Sequence, residues 1–159
     1  MGERVAHGEL SAAVRWLHTV PAVEQIVCGA RLVAASSWRS AERMSNIAEL
    51  DKKLNDAVLA GKALEAFEEL YDDNVVMQEN SDPEFRGKDL NRKREQEFFA
   101  SVEAWHGGAV LASAAHGDVS FSEWTMEVSI KGVGRIKLDQ VAVRRWKNGK
   151  IVHERFYHK

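Results

Sequence analysis

Two stretches of sequence decide the fold: LEAFEELYDDNVVMQEN at residues 64–80 and VAVRRWKNGKIVHERFY at residues 141–157. In the first stretch, apolar residues recur at helical spacing as far as Tyr71, and an acidic break then leads into an apolar run typical of a strand. In the second stretch, two strand-like runs flank Asn148-Gly149, a strong signal for a two-residue hairpin turn. The sequence therefore predicts a helix followed by a strand in the middle of the chain, and a β-hairpin near its end.

Further elements extend from these two stretches. Upstream, Asn46 with Glu49 three residues later is close to a capping box, and Gly61 ends the helix that begins there. Downstream, helical spacing predicts a third helix from Lys88 to Ser101. Short turns between the later strands imply an antiparallel meander, and the helices must cover one face of the curved sheet. The later strands are predicted at residues 106–116, 119–130, 135–146 and 150–157.

This order of elements, with FRGKDL at residues 85–90 as a glycine-containing start of the third helix, resembles the SnoaL-like proteins of the nuclear transport factor 2-like superfamily. The resemblance covers residues 47–157. It implies an α+β fold in which three N-terminal helices cover a curved, mostly antiparallel sheet, and the sheet forms a cone with an internal pocket for an apolar small molecule. The superfamily includes polyketide cyclases, ketosteroid isomerases, dehydratases and epoxide hydrolases, as well as proteins that only bind or only dimerise. Function must therefore be argued from the site.

The resemblance implies two candidate catalytic residues. Ketosteroid isomerases place a general base at the end of the first strand, where this sequence has Glu79. They also use a protonated aspartate at a position matched here by Val141, and Asp139 lies two residues earlier, on the same face by alternation. The tyrosine of their oxyanion hole falls on Leu54, which donates no hydrogen bond. Proton transfer by Glu79 with Asp139 nearby is thus one interpretation, and a glutamate at a solvent-exposed strand end is the other.

Five residues are candidates for contact with a ligand. Arg94 shares a helix face with Leu90 and Phe98, where an apolar residue is expected. It either pairs with a cavity acid or an acidic ligand group, or lays its stem on the core and reaches water. Large apolar side chains either line the pocket or form ordinary core. The candidate ligand-binding residues are Phe67, Met77, Arg94, Phe98 and Trp124.

Composition argues against several other classes of protein. The formal net charge of -2 gives no general attraction to nucleic acid or to an anionic membrane, so we expect neither partner. The histidines show no metal-ligand spacing, and no phosphate-cradling loop is present, so we expect no metal and no cofactor. Cys28 is the only cysteine, so an intrachain disulfide framework is excluded. No secretory signal is recognised, and we expect a cytoplasmic location.

The composition changes near Met44. The first 43 residues contain five Arg and no Lys, whereas the remaining 116 contain seven Arg and ten Lys. We therefore expect residues 1–43 to be an N-terminal extension outside the domain, and residues 44–159 to form the SnoaL-like domain. The extension is either a segment that packs on the domain through Trp16 and Trp38, or an upstream stretch attached by a wrongly chosen start codon. The composition favours the second interpretation.

Two functions of different classes fit these features. The first is a proton-transfer enzyme, isomerase-like or cyclase-like, that uses Glu79 on an apolar, oxygenated small molecule. The second is a non-catalytic ligand-binding or dimeric accessory protein, which the missing donor at Leu54 favours. In either case we expect a homodimer, because strands with two partly apolar faces, and with Trp124 or Trp146 exposed on one, would leave an apolar patch on a monomer.

Overall fold

The computed structural model describes residues 46–159, and the predictions for residues 1–43 lie outside the described residues. Helix α1 covers residues 46–59, α2 covers Ala63–Leu70 and α3 covers Lys88–Ser101. The strands are β1 (Tyr71–Glu79), β2 (Phe85–Arg86), β3 (Val102–His116), β4 (Val119–Ile130), β5 (Gly134–Lys147) and β6 (Lys150–His158). Within this part of the chain, no helix is both long and apolar enough to span a bilayer.

The six strands form one sheet in the order β2-β1-β6-β5-β4-β3. All neighbouring strands are antiparallel except β1 and β6, which are parallel. This parallel pair joins the two stretches that decide the fold, because Val76 lies opposite His153 and Glu79 lies opposite Phe156. The α+β fold with three helices and a curved, mostly antiparallel sheet is therefore confirmed.

Local signals place most element boundaries correctly. Asn148 and Gly149 both have positive φ, at 52° and 75°, as a type I′ hairpin turn requires. Helix α3 begins and ends where predicted. Residues 72–74, predicted as a break before the first strand, belong to β1 itself, and the pairing of β1 with β6 changes register between Tyr71 and Val76. The two-residue strand β2 was not predicted, and β3 begins four residues earlier than expected.

The hydrophobic core fills one end of the sheet. It lies between α1, α2 and the strands β1, β5 and β6, and it includes Leu70, Trp146 and Ile151. Leu54 and Phe67 belong both to this core and to the wall of a cavity that continues beyond it. The core therefore stops partway along the cone and leaves space for a ligand at the other end.

Two predictions about the orientation of side chains are wrong. Trp124 and Trp146 are 2% and 4% exposed and lie inside the molecule, not on the outer face of the sheet. Leu90 is exposed, so the predicted inner face of α3 fails at this position, whereas Arg94 and Phe98 do face inward. The fully buried Asn91 marks the true inner face of that helix, which therefore carries more polar groups than apolar periodicity indicated.

Candidate functional site

A cavity of about 310 Å³ lies between the helices and the inner face of the sheet. Its wall is mostly apolar, with polar groups at a few positions. Of the residues predicted to act on or bind a ligand, Phe67, Glu79, Arg94, Phe98 and Trp124 line this cavity. The other lining residues are Leu54, Val58, Ala63, Tyr71, Glu95, Phe99, Trp105, Met126, Leu138, Gln140, Arg144, Glu154, Phe156 and His158.

Asp139 does not belong to this site. On β5 the residues that line the cavity are Leu138, Gln140 and Arg144, so odd-numbered positions face outward. The Asp139 carboxylate is 61% exposed, accepts a hydrogen bond from Thr125 Oγ1 at 2.7 Å, and pairs with Lys137 Nζ at 2.9 Å. The prediction that Asp139 faces inward is wrong. It assumed that Val141 faces inward, whereas Val141 is an odd-numbered residue of β5 and faces outward, as Asp139 does.

Met77 is also absent from the cavity wall. It points to the interior, as expected from its position on β1, but it is only 2% exposed and packs within the hydrophobic core. Its side chain therefore supports the cone rather than contacting the space inside it.

Glu79, Arg94 and His158 form a charged cluster at the cavity mouth, where all three side chains are partly exposed. Arg94 Nη2 lies 3.4 Å from Glu79 Oε1, and His158 Nε2 lies 3.1 Å from Glu79 Oε2. The Arg94 guanidinium also donates to Asn91 Oδ1 at 3.1 Å and stacks on Phe85, with 3.5 Å to the ring centroid. Both oxygens of the Glu79 carboxylate are thus engaged, and Arg94 pairs with a cavity acid, one of its two interpretations.

Aromatic side chains form the rest of the mouth. Trp105 and Phe98 line the cavity and are 45% and 37% exposed. The Trp105 ring lies against Gly108, where a Cβ atom would come within 2.6 Å of it. Glycine at position 108 is therefore what allows this ring to lie flat along β3 at the rim.

Glu95 is one of the cavity residues that the sequence analysis did not identify. It is partly buried, lines the cavity, and makes no hydrogen bond or ion pair with another described residue. Burial, reinforced by the charges of Glu154 and Glu79 and opposed by Arg94, raises the pKa of Glu95 from 4.5 to about 7. The spacing of four residues between Asn91, Glu95 and Phe99 places these side chains on one face of α3, and this was the signal in the sequence. The apolar periodicity instead indicated the neighbouring face, which carries Leu90, Arg94 and Phe98.

The cavity floor, formed by Tyr71, Arg144 and Glu154, is charged and almost completely buried. Arg144 Nε donates to Glu154 Oε1 at 2.7 Å, and Tyr71 Oη donates to Glu154 Oε2 at 2.6 Å. On its other side, Arg144 Nη1 donates to Asp51 Oδ1 at 2.8 Å and to Asn55 Oδ1 at 3.0 Å. Arg144, although it stands in the basic run of residues 144–147, is therefore an interior residue.

Three further residues, Ser120, Ser122 and Trp146, complete this floor network behind Arg144. Ser120 and Ser122 each donate to the Asp51 carboxylate at 2.6 Å, and Trp146 Nε1 donates to Ser120 Oγ at 2.8 Å. Burial would raise the pKa of Asp51, but Arg144 and the two serine hydroxyls outweigh it and hold that pKa below its usual value. Burial, followed by the charge of Glu154, raises the pKa of Tyr71 well above its ordinary value. Each of these side chains of the floor is thus hydrogen-bonded to another described residue.

Two donors on the sheet wall of the cavity have no acceptor among residues 46–159. The side-chain amide of Gln140 makes no hydrogen bond with another described residue. Trp124, which lies directly opposite Gln140 in the pairing of β4 with β5, has a buried indole N–H without a partner in the same part of the chain. Residues 46–159 hold no cluster of three or more potential metal ligands.

Comparison with known proteins assigns the fold to a family. A model of the SnoaL-like domain matches residues 44–158. The chain belongs to the SnoaL-like domain family. No curated protein matches the sequence significantly.

Solved structures similar to this SnoaL-like domain carry names of different activities. A Mesorhizobium loti protein, named as a candidate SnoaL-like polyketide cyclase with the further label carbohydrate phosphatase, is 30% identical, with a TM-score of 0.64 over 70% of this chain and 97% of its own. An LEH-like epoxide hydrolase from M. tuberculosis is 16% identical, with a TM-score of 0.61 over 73% and 84% of the two chains. A candidate isomerase from Bacillus subtilis is 17% identical, with the same TM-score over 74% and 88%. The last two show a shared fold alone.

Proposed function

We propose that this SnoaL-like domain binds a small, mostly apolar molecule that carries an oxygen function, and that a carboxylate in the cavity transfers a proton to or from it. The observation that carries the proposal is that the Glu95 carboxylate lines an apolar cavity and has no hydrogen-bond or ion-pair partner in the described part of the chain. A volume of about 310 Å³ lies at the lower end of the range of about 300–1,000 Å³ that is typical of small-molecule sites.

The relatives are consistent with this class of activity. A candidate polyketide cyclase and a candidate isomerase share this fold, which supports the proposal of an enzyme. Glu79, the residue that sequence analysis assigned as the base, lies at the same cavity, so both glutamates are candidates for the proton carrier.

The experiment that tests the proposal is native mass spectrometry of the full chain purified from its own host. We expect the protein to retain a molecule small enough for the cavity, with an apolar skeleton and at least one oxygen atom. Replacing Trp124 with alanine enlarges the cavity and removes part of its wall, so the retained molecule should be lost. An Asp139→Ala variant, changed on the outer face, should keep it. Recovery of the same molecule from a Trp124→Ala variant would contradict binding in this cavity.

A non-catalytic binding protein is the second candidate function. The observation that favours it is the saturation of most polar groups in the cavity: Glu79 is held by Arg94 and His158, and the floor is bonded throughout. Incubation of the protein with its retained molecule separates the two functions. Recovery of the molecule without isomerisation and without exchange of its hydrogens with solvent would favour binding alone.

We also propose that the protein is a homodimer that buries the outer face of its sheet, and that it is located in the cytoplasm. Phe121 and Tyr157 are exposed on that face at 41% and 45%. Val141 and Val143 lie beside them in the strand register, between β4 and β6. A contiguous apolar area of this kind is typical of a protein–protein interface. The cytoplasmic location rests on the single cysteine of the sequence.

A further inference from the structure

Three acidic residues line the cavity, and the protein supplies a positive charge to two of them. Arg94 pairs with Glu79 at the mouth, and Arg144 pairs with Glu154 at the floor. Glu95 is the third acid, and it makes no hydrogen bond or ion pair within residues 46–159. A carboxylate in an apolar wall is stabilised by a positive charge beside it. A cationic group of a ligand would therefore complete the site at Glu95.

The charge balance of the interior also favours a cation. The cavity wall and the floor network together hold more carboxyl groups than guanidinium groups. The carboxyl groups are those of Asp51, Glu79, Glu95 and Glu154, and the guanidinium groups are those of Arg94 and Arg144. Burial and then the negative charge of Glu154 raise the pKa of Glu95 to about 7. An excess of negative charge within low-dielectric walls attracts cations and disfavours anions.

Aromatic rings lie beside Glu95 on its own helix. Phe98 and Phe99 follow Glu95 by three and four residues on α3, so they are its neighbours on the helix surface, and both line the cavity. Their ring centroids are 5.3 Å apart, with 70° between the ring planes. Trp105 and Trp124 line the same cavity from the sheet. The face of an aromatic ring attracts an ammonium group within about 6 Å, so rings beside a carboxyl group suit an alkylammonium ion.

Resting on the proposed function, we infer that the ligand carries a basic nitrogen besides its oxygen atom, and that the ammonium form of this nitrogen binds between the Glu95 carboxylate and the rings of Phe98 and Phe99. A free amine that enters the cavity takes the proton of Glu95, so that an O–H bond breaks and an N–H bond forms. An amine that enters already protonated displaces the proton of Glu95 into the solvent. Both routes end in the same ammonium–carboxylate pair.

Trp124 gives independent support for a ligand in this cavity. Its Nε1 is the only buried side-chain nitrogen or oxygen atom of residues 46–159 without a hydrogen-bond partner. The other buried indole of these residues, Trp146, donates to Ser120 Oγ at 2.8 Å. An indole N–H donates and cannot accept, so Trp124 suits the oxygen of the ligand and not its ammonium group. The nitrogen therefore belongs at the helix wall, where Glu95 lies.

Two probes of the same shape test the inference with the full chain. Tetrahydroisoquinoline is a bicyclic amine that is protonated near neutral pH, and isochroman is the neutral ether with oxygen in place of the nitrogen. At neutral pH, we expect Glu95→Gln to weaken binding of the amine by about ten-fold or more, the effect of losing a charged hydrogen bond, with little effect on the ether. Glu97→Gln removes the same charge from the exposed side of α3 and should change neither affinity. Equal weakening of both probes by Glu95→Gln, or equal effects of the two variants, would overturn the inference.

A second variant tests the aromatic part of the site. Phe98→Leu keeps an apolar side chain and removes the ring face, and Phe98 is partly exposed, so the fold should tolerate the change. We expect it to weaken binding of tetrahydroisoquinoline about three-fold more than binding of isochroman. The same loss for both probes would contradict the placement of the nitrogen at this ring.

The pH dependence of binding distinguishes an ion pair from a side chain that merely shapes the wall. Affinity for tetrahydroisoquinoline should rise with pH as Glu95 ionises and level off above about pH 7, and Glu95→Gln should abolish this rise. The charged and titratable groups that face Glu95 are those of Arg94 on α3, Glu79 and Tyr71 on β1, Arg144 on β5, and Glu154 and His158 on β6. A rise that persists in Glu95→Gln would come from one of these groups and would contradict the inference.

Carbon-13 NMR of the glutamate carboxyl groups gives a direct measurement of the same pair. A bound cation favours the ionised form of Glu95, so tetrahydroisoquinoline should lower the pKa of this carboxyl group, whereas isochroman should not. The signal that is missing in Glu95→Gln identifies the residue. An unchanged pKa of Glu95 with the amine bound would overturn the inference.

Failure of this inference is distinguishable from failure of the proposed function. If isochroman binds and tetrahydroisoquinoline does not, the basic nitrogen is wrong, while a cavity for an apolar molecule with an oxygen atom remains. The same conclusion follows if the molecule retained by protein from its own host contains no basic nitrogen. If neither probe binds and the protein from its host retains nothing, the proposed function fails, and this inference fails with it.

Discussion

At the scale of single residues, Glu95 links the site to stability. A carboxyl whose pKa is raised from 4.5 to about 7 binds its proton more tightly in the folded protein than in the unfolded chain. Its contribution to the free energy of unfolding is therefore fully present below about pH 4.5 and is lost as the pH rises through about 7. We expect Glu95→Gln to be more stable than the wild type above pH 7, by at most about 3 kcal/mol, and to lose this advantage in acid.

Urea unfolding of both proteins at a series of pH values measures this difference. Glu97→Gln is the matched control, because Glu97 is exposed and pairs only with Lys93, and it should follow the wild type throughout. Parallel curves for the wild type and Glu95→Gln would show that Glu95 ionises in the folded protein as it does in the unfolded chain.

The same scale shows how far the sequence could predict the site. Glu79 was found because it ends a strand with a recognisable sequence, and a strand end is a local property. Asp139 was assigned to the wrong face because successive side chains of a strand point to opposite faces of the sheet. An error of one residue in the register therefore assigns every side chain of the strand to the wrong face. Glu95 was missed because the identity of a cavity-lining residue depends on which helix face meets the sheet, and α3 presents polar residues there instead of an apolar stripe.

At the scale of elements, the floor network connects α1 to the sheet through Arg144. This cation is buried between Asp51 of α1 and Glu154 of β6. Arg144→Met would leave two buried carboxylates without their counter-charge, and breaking a buried pair in this way costs about 3–5 kcal/mol. We expect that loss in urea unfolding at neutral pH. The loss should shrink at acid pH as Asp51 is protonated.

Arg145→Met is the control for this change, because Arg145 follows directly on β5 but is exposed on the opposite face. Its effect should stay within about 0.5 kcal/mol. A similar loss in both variants would mean that the hairpin, not the buried charge, sets the cost.

Most helices and strands could be predicted from the sequence, because their boundaries depend on local backbone preferences. The Asn148-Gly149 turn and the boundaries of α3 depend on local backbone preferences, which the chain carries in each segment. The parallel pairing of β1 with β6 and the pairing of Arg144 with Asp51 join residues far apart in sequence. No local signal specifies the contact of Arg144 with Asp51, so the sequence analysis did not identify the floor network.

At the scale of the whole molecule, the outer face of the sheet decides the state of assembly. The homodimer was expected because Trp124 or Trp146 would be exposed on the sheet, and both are buried inside the molecule. The outer face of the sheet nevertheless exposes Phe121, and Val143 lies beside it. We expect the wild type to sediment as a dimer at micromolar concentration. A central aromatic side chain in an interface contributes about 2 kcal/mol or more, so Phe121→Lys should weaken dimerisation by about thirty-fold or more without loss of fold. Val133→Lys adds the same charge at an exposed turn between β4 and β5 and should leave the dimer intact. A wild-type monomer at this concentration, or equal effects of the two lysines, would contradict burial of this face in a dimer.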